Sequence, residues 1–145
     1  MDTTDKKIVE LLQEQGRISM KELGSEVGLS QPAVAERVRK LEERGILLGY
    51  RAVVSAEKVN KTTTAYLMFH TKDCEGFIAF CKQSVDLMEC HRISGQYNYL
   101  LKVTTESMQS LETFINASGK FGDSVTLIVM SSPVEYKPLI PIATV

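Results

Sequence analysis

The stretch that decides the fold of the first part of the chain is "GRISMKELGSEVGLSQPAVAERVRKLEERGILLGY", residues 16–50. Ser19 and Glu22 stand at capping-box spacing, which predicts the start of a helix at Ser19. Gly28 breaks this helix, and Ser30 begins another as its N-cap. Two short helices joined by the tight turn "VGLS" are typical of a helix-turn-helix.

The helix that begins at Ser30 has two different faces. Its inner face is predicted to carry an apolar stripe at spacings of four and three, formed by Val34, Val38 and Leu41. Pro32 is tolerated because it lies in the first turn, where backbone amides have no helical partner. In helix-turn-helix proteins the N-terminal part of the second helix enters the major groove of double-stranded DNA. The outer face of this helix is therefore the predicted reading surface.

The outer face carries side chains that are suited to DNA recognition. Gln31 can pair with adenine edges, and Arg37 can pair with guanine edges or phosphate, while the small Ala33 allows a close approach. Other basic side chains are predicted to contact phosphates, which position the protein without specifying sequence. The full predicted DNA-binding set is Ser30, Gln31, Pro32, Ala33, Glu36, Arg37, Arg39, Lys40 and Arg44. The alternative is a plain three-helix packing unit with a charged surface.

The distribution of charge favours the DNA-binding interpretation. The chain as a whole has a net charge of −1. Between Arg37 and Arg51, however, five basic residues accompany two acidic ones, a local net charge of +3. A local basic face can hold a phosphate backbone even when the chain is nearly neutral.

Composition and motifs argue against several other classes of protein. No apolar run approaches the ~20 residues of a membrane helix, and the polar N-terminus predicts no secretory signal. The three cysteines, Cys74, Cys81 and Cys90, form no C-x-x-C pair, which argues against a disulfide framework or a zinc site and for a reducing interior. No nucleotide-binding or catalytic spacing is present, so we expect no enzyme activity, no cofactor and no metal.

The hydrophobic period differs between the two parts of the chain. A helix over 4–15 completes the first part, whereas residues 50–145 mostly alternate with period two, as strands do. The predicted elements are a strand at 46–54, a strand at 64–71, a helix at 75–84, strands at 88–94 and 97–104, a helix at 106–118 and a strand at 124–131. From residue 64 onward this is the β-α-β-β-α-β order of a ferredoxin-like domain. The polar stretch at 55–64 is the predicted hinge.

The predicted sheet is apolar on both faces. The last predicted helix offers one face an apolar stripe of Met108, Leu111, Phe114 and Ile115. Helices of this topology cover only one face of the sheet, yet apolar residues such as Leu100 point to the other. An uncovered apolar face implies a second layer, and another copy of the same sheet across a two-fold axis is the simplest one. We therefore predict a homodimer through the C-terminal sheet.

Residues 16–50 closely resemble the N-terminal domain of the Lrp/AsnC, or feast/famine, transcription regulators. The likeness is strongest over 5–50, where "GLS", "V..RV..LE..GI" and the trailing "GY" stand together. The second half resembles the regulatory domain of that family, including "RISGQYNYLLKV" at 92–103. Together with the element order, the resemblance implies an α+β fold: an N-terminal winged helix-turn-helix domain, 1–50; a strand or hinge linker, 51–63; and a C-terminal ferredoxin-like βαββαβ regulatory and dimerisation domain, 64–145.

The resemblance also implies how such a protein works. Similar proteins bind DNA as dimers or as rings of dimers, often octamers, and respond to amino acids or related small metabolites. Gly95 fits a tight turn between two strands, because glycine accepts positive φ. The implied effector site lies at this turn, near a contact between dimers, and consists of Gly95, Gln96, Tyr97, Asn98 and Tyr99.

Asn98 departs from the pattern of the family, which usually has an aspartate at this position. An aspartate could make a charge-assisted bond to the ammonium group of a ligand, worth about 1.5–3 kcal/mol against about 0.5–1.5 kcal/mol for a neutral bond. Asn98 lacks the charge but keeps an acceptor and gains donors. Three interpretations follow: weak binding of an amino acid, binding of a different effector, or a loop that only holds dimers together, with Tyr97 and Tyr99 as anchors.

Two functions fit the sequence. The first is a sequence-specific transcription regulator, cytoplasmic and nucleoid-associated, whose C-terminal domain responds to an amino acid or related metabolite. The alternative is an architectural nucleoid protein that bends or wraps DNA without a physiological effector. An enzyme on the ferredoxin-like half is a third class, which the lack of a catalytic constellation disfavours.

Overall fold

The computed structural model describes residues 1–142, whose contacts divide them into two units. One unit consists of Met1–Val53 together with residues 134–142, and the other of Val54–Pro133. The domain division made from the sequence stays a prediction, and its last three residues, 143–145, lie outside the described part. None of the helices in the described part has the length and apolarity needed to cross a bilayer.

The first unit contains three helices, α1 (Thr3–Glu14), α2 (Met20–Val27) and α3 (Gln31–Glu43). At the start of α2 the Glu22 amide donates to the Ser19 hydroxyl at 3.1 Å, and the Ser19 amide donates to the Glu22 carboxylate at 3.0 Å. α2 ends at Gly28, whose φ of 69° is a left-handed conformation that glycine adopts without steric cost. Ser30 caps α3. The predicted helix-turn-helix is confirmed.

The three helices share one apolar core. It is formed by Ile8, Val9, Leu11, Leu12, Leu23, Val34, Val38 and Leu41, which include the predicted stripe of α3. Gly24 lies where α2 approaches the start of α3, and a Cβ built there would stand 2.6 Å from the Leu29 carbonyl oxygen. Only glycine allows this approach, so the geometry of the helix pair depends on this position.

The predicted strand at 46–54 is not formed in the described chain. No strand among residues 1–142 pairs with this segment, and a strand needs a neighbour to satisfy its backbone amides and carbonyls. Leu48 is 93% exposed and Val53 is fully exposed. The described helix-turn-helix therefore lacks the wing that the resemblance implied.

The segment that follows the second unit contacts α1. The Gln13 carboxamide oxygen accepts from the Leu139 amide at 2.8 Å and from the Tyr136 hydroxyl at 3.2 Å. The Gln13 Nε2 donates to the Leu139 carbonyl at 2.9 Å. One side chain thus pairs with both backbone groups of a tail residue, as a neighbouring strand would.

The second unit follows the predicted order of elements. These are β1 (Thr63–Thr71), α4 (Cys74–Gln83), β2 (Leu87–Arg92), β3 (Tyr99–Thr105), α5 (Met108–Ser118) and β4 (Gly122–Ile128). The strands form one antiparallel sheet in the order β2-β3-β1-β4, in which Leu67 lies opposite Leu101 and Thr126. The predicted βαββαβ fold is confirmed, and its boundaries differ from the prediction by a few residues.

Helices α4 and α5 cover one face of this sheet. Phe77 of α4 stacks on Phe69 of β1 with ring centroids 4.2 Å apart. Leu111 of α5 is also fully buried in this core. Met108, predicted as part of the α5 stripe, is 54% exposed. It is the first residue of the helix, and contact with the core begins one turn later.

The opposite face of the sheet has no helix against it in the described chain. Tyr66, Met68 and Leu100 are half-buried on this face, while Val125 and Leu127 are exposed. We call these five residues the open sheet face. The prediction that apolar residues occupy both faces is confirmed.

Candidate functional site

The first candidate site is the outer face of α3. Ser30, Gln31, Pro32 and Ala33 form the cap and first turn of the helix, and all four are exposed. The Ala33 amide donates to the Ser30 hydroxyl at 3.4 Å, so a short side chain caps this end. Another surface can therefore approach the first turn of α3 closely.

Arg37 belongs to α3, and its half-buried side chain reaches the start of α1. Its Nη1 donates to Asp2 Oδ2 and to Asp5 Oδ1, both at 2.7 Å. Hydrogen bonds to these carboxylates, first Asp2 and then Asp5, raise the pKa of the guanidinium. The pKa of the Asp2 carboxyl is lowered, mainly by the Asp5 backbone amide that donates to it and also by Arg37.

The two aspartates are the part of this site that the sequence analysis missed. The Asp5 amide donates to Asp2 Oδ1 at 2.8 Å, and the Asp2 amide donates to Asp5 Oδ2 at 3.2 Å, which together cap α1. The stretch "DTTD" at 2–5 has capping-box spacing and could have revealed this cap. Its pairing with Arg37 depends on helix packing and has no signal in the sequence.

The other basic residues of the predicted set are neutralised to different degrees. Arg39 donates to both carboxylate oxygens of Glu36, at 2.9 and 2.6 Å, and pairs with Glu43. The bonds from Arg39 lower the pKa of the Glu36 carboxyl to about 2. Lys40 reaches Glu36 only at 3.5 Å and its side chain is 63% exposed. Arg44 is exposed and has no ion-pair partner among residues 1–142.

The second candidate site is the turn between β2 and β3. Gly95 has a φ of 114°, as the sequence predicted for a turn residue. The Ile93 amide donates to the Asn98 carbonyl at 3.0 Å, and the Asn98 amide donates to the Phe69 carbonyl at 3.0 Å. These bonds hold the end of the turn against β1 and fix its shape.

The side chain of Asn98 is used within the chain. Its Oδ1 accepts from the Thr71 amide at 3.0 Å, and its Nδ2 donates to the Thr71 carbonyl at 2.8 Å. The carboxamide thus imitates a backbone peptide group beside the last residue of β1. An aspartate would keep the first bond and lose the second, because a carboxylate has no donor. The Thr71 carbonyl therefore favours asparagine at this position.

The remaining residues of the predicted effector set do not share one surface. Gln96 is exposed, and its backbone carbonyl lies 3.1 Å from His70 Nδ1. Tyr97 is half-buried. Tyr99 is only 3% exposed and packs against Phe77 in the core, with ring centroids 5.2 Å apart. The aromatic ring available at the turn is therefore that of Tyr97.

Two family models match the chain in the order of its two units. The AsnC-type helix-turn-helix domain matches residues 1–42. The Lrp/AsnC ligand binding domain matches residues 64–139, which is more than half of the chain. The first match contains most of α3, and the second contains all of the sheet except Thr63, together with the turn between β2 and β3.

Similar proteins and solved structures agree with these matches. The chain is 48% identical over 132 residues to the HTH-type transcriptional regulator YezC of Bacillus subtilis (strain 168), covering 91% of this chain and 95% of that protein. The structure of Bacillus subtilis LrpC has a TM-score of 0.89 at 33% identity, covering 94% of this chain and 99% of that one. The transcriptional regulator NMB0573 of Neisseria meningitidis, solved in complex with L-Met, has a TM-score of 0.89 at 27% identity and covers 96% of both chains. The chain therefore belongs to the Lrp/AsnC family and is a DNA-binding transcriptional regulator that carries a ligand-binding domain.

Proposed function

We propose that this regulator reads DNA with the outer face of α3. The observation that carries the proposal is the exposed first turn of α3, which ends in a short capping side chain and the small Ala33. In helix-turn-helix proteins this end of the second helix enters the major groove. The proposed DNA-binding surface comprises Ser30, Gln31, Pro32, Ala33, Glu36, Arg37, Arg39, Lys40 and Arg44.

Within this surface the side chains have different proposed roles. Gln31 is exposed at the first helical position, where its carboxamide can meet an adenine edge. Lys40 and Arg44 are exposed and at most weakly paired, so their charge is available to phosphates. Phosphate contacts set the register of the protein on the duplex, and base contacts set the preferred sequence.

Lys40→Ala is expected to weaken binding to every DNA sequence. Because each subunit loses one phosphate contact, the magnitude of the slope of log K against log salt concentration should fall by about 0.9 for each subunit that contacts the duplex. Fluorescence anisotropy with a labelled duplex over a salt series measures both quantities. Lys82→Ala, which removes the same charge from an exposed position in α4, is the control and should leave the slope unchanged. Equal slopes for the wild type and Lys40→Ala would contradict the phosphate contact.

We also propose that an amino acid or related small metabolite binds at the turn Gly95–Tyr99. Support comes from the match to a ligand-binding domain and from the L-Met complex of the Neisseria meningitidis relative. Because the Asn98 carboxamide is engaged with Thr71, the proposal assigns ligand contacts to Gln96, Tyr97 and the exposed Gly95 backbone. A ligand held mainly by neutral hydrogen bonds is expected to bind more weakly than one held by a carboxylate.

Asn98→Asp is expected to lower the thermal midpoint of the ligand-free protein. The substitution leaves the Thr71 carbonyl without its donor, a loss of about 1–3 kcal/mol for a part-buried acceptor. Differential scanning fluorimetry of the wild type and the variant, alone and with each common amino acid, measures stability and binding together, since a native-state ligand raises the midpoint. Gln96→Glu makes the same chemical change at an exposed neighbour and serves as the control for the ligand-free midpoint alone. A ligand-free midpoint equal to that of the wild type would contradict the structural role of Asn98.

A second candidate function is an architectural DNA-binding protein without a physiological effector. The observation that favours it is the Asn98–Thr71 pairing, which uses the side chain that would otherwise face a ligand. In the same panel, no midpoint shift of the wild type with any amino acid would support this candidate. Similar affinity for unrelated duplexes would support it as well.

The proposed assembly is a homodimer through the open sheet face, with further association of dimers into an octamer. The apolar residues of that face remain partly exposed in the single chain, and a second copy of the sheet would cover them. An effector changes such an assembly only if it binds the dimer and the higher oligomer with different affinities. Since DNA is the partner, we place the protein in the cytoplasm at the nucleoid.

A further inference from the structure

We propose that Arg37 is a positioning residue rather than a DNA contact. It ties the start of α1 to the middle of α3, and thereby holds α3 in the orientation in which its first turn meets DNA. This inference rests on the proposed DNA-binding surface. It removes Arg37 from the side chains of that surface that touch the nucleic acid.

The geometry around Arg37 is a closed network. Each aspartate uses one carboxylate oxygen to accept the backbone amide of the other, and the second oxygen to accept from Arg37 Nη1. Arg37 therefore completes the cap of α1 from the neighbouring helix. The two bonds of 2.7 Å are of the length expected for charge-assisted pairs.

The electrostatics of this network oppose contact with a phosphate. One guanidinium and two carboxylates carry a net charge of −1, so an approaching phosphate would meet repulsion. The Asp5 side chain is only 14% exposed, and that of Arg37 is 34% exposed. Drawing Arg37 away would leave a largely buried carboxylate without its cation, which is unfavourable.

Lys40 presents the opposite situation on the same helix. Its side chain is nearly twice as exposed as that of Arg37, and its distance to Glu36 is 3.5 Å. The Lys40 ammonium group can therefore separate from Glu36 and bind a phosphate at little cost, because exposed ion pairs contribute little free energy. Two cations three residues apart thus differ in role because their partners differ in number and burial.

The test is a double-mutant cycle on DNA affinity and salt slope. Arg37→Gln removes the cation, and Asp5→Asn removes one carboxylate but keeps a side chain that can accept from the Asp2 amide. Glu14→Gln removes the same charge from an exposed position of α1 and measures the general effect of losing an acid. Binding to a fluorescein-labelled mixed-sequence duplex is measured over a series of NaCl concentrations, at a temperature where circular dichroism shows every variant folded.

The positioning role predicts a specific pattern among folded proteins. Arg37→Gln should bind about fivefold more weakly at fixed salt, as for the loss of one good ion pair, with an unchanged salt slope. Asp5→Asn should also bind more weakly than Glu14→Gln. The double variant should bind no more weakly than Arg37→Gln, because both substitutions break the same network.

Other patterns would overturn the proposal. In Arg37→Gln, a salt slope whose magnitude is lower by about 0.9 for each subunit on the duplex would show a lost phosphate contact. Tighter binding by Asp5→Asn than by Glu14→Gln would show that Asp5 competes with DNA for Arg37. Unchanged affinity in both variants would show that neither side chain matters. If Arg37→Gln does not fold, the comparison of Asp5→Asn with Glu14→Gln tests the positioning role by itself. Weaker DNA binding by Asp5→Asn supports that role, and equal or tighter binding overturns it.

Lys40→Ala in the same titration separates this inference from the proposed surface. A lower slope for Lys40→Ala, with an unchanged slope for Arg37→Gln, supports both. An unchanged slope for Lys40→Ala contradicts the proposed phosphate contact, while the cycle between Asp5 and Arg37 still decides the positioning role.

Discussion

Gly24→Val is expected to abolish DNA binding by disrupting the packing of α2 on the start of α3. Even the first added carbon would stand 2.6 Å from the Leu29 carbonyl oxygen, which belongs to the backbone and cannot rotate away. The Leu29 amide also donates to the Gly24 carbonyl at 2.8 Å, so the turn cannot shift without losing this bond. Overpacking usually costs about 1–3 kcal/mol, and we expect the upper end of this range or more here because the contact is to backbone. Thermal unfolding and anisotropy with a labelled duplex measure the two losses.

Ser25→Val is the matched control for this substitution. It places the same β-branched residue on the neighbouring, exposed position of α2, so it has the same helix propensity without the clash. Its stability and DNA affinity should stay close to those of the wild type. If Gly24→Val and Ser25→Val lost equal stability, the close approach at Gly24 would not be what holds the helix pair.

Leu100→Asp is expected to dissociate the proposed dimer. Leu100 lies on the open sheet face between Met68 of β1 and His91 of β2. A carboxylate there would be buried without a cation when a second sheet covers it, at about 3 kcal/mol or more per interface. The dissociation constant should therefore rise at least about a hundredfold. Light scattering coupled to size exclusion gives the mass directly, and circular dichroism checks that the sheet is intact.

Val85→Asp provides the control for Leu100→Asp. Val85 lies in the connection between α4 and β2 and is 84% exposed, so the same change of chemistry should leave the mass unaltered. An unchanged mass for Leu100→Asp at low protein concentration would refute the dimer through the open sheet face. Equal dissociation of both variants would point to a general effect of added charge.

Elements with a local signal were predicted well. Ser19 and Glu22 join across a single turn, and Gly28 needs its left-handed conformation whatever surrounds it. The βαββαβ order followed from alternation that switches twice to a helical period, and the structure has that order. Such signals succeed because capping, turn geometry and amphipathic period involve residues that are close in sequence.

The segment at 46–54 shows where such reasoning fails. Its apolar, β-branched composition is that of a strand, but a strand exists only if another strand pairs with it, and the described chain offers none. Tyr99 shows the same limit within a correctly predicted strand. The sequence assigned Tyr99 to the predicted effector site at the turn Gly95–Tyr99, whereas its ring lies in the core beside Phe77.

The sequence by itself determined the helix-turn-helix, the ferredoxin-like order and the family to which the chain belongs. Only the tertiary structure decided what the side chains of Arg37 and Asn98 contact. Arg37 meets Asp2 and Asp5 across 35 and 32 residues, and Asn98 meets Thr71 across 27 residues. No local pattern encodes such pairs, because they arise only when packed helices and paired strands bring distant groups within hydrogen-bonding distance. The physical reason is that the type of residue sets its charge and its hydrogen-bonding groups, whereas the folded arrangement of the chain sets which partner those groups contact.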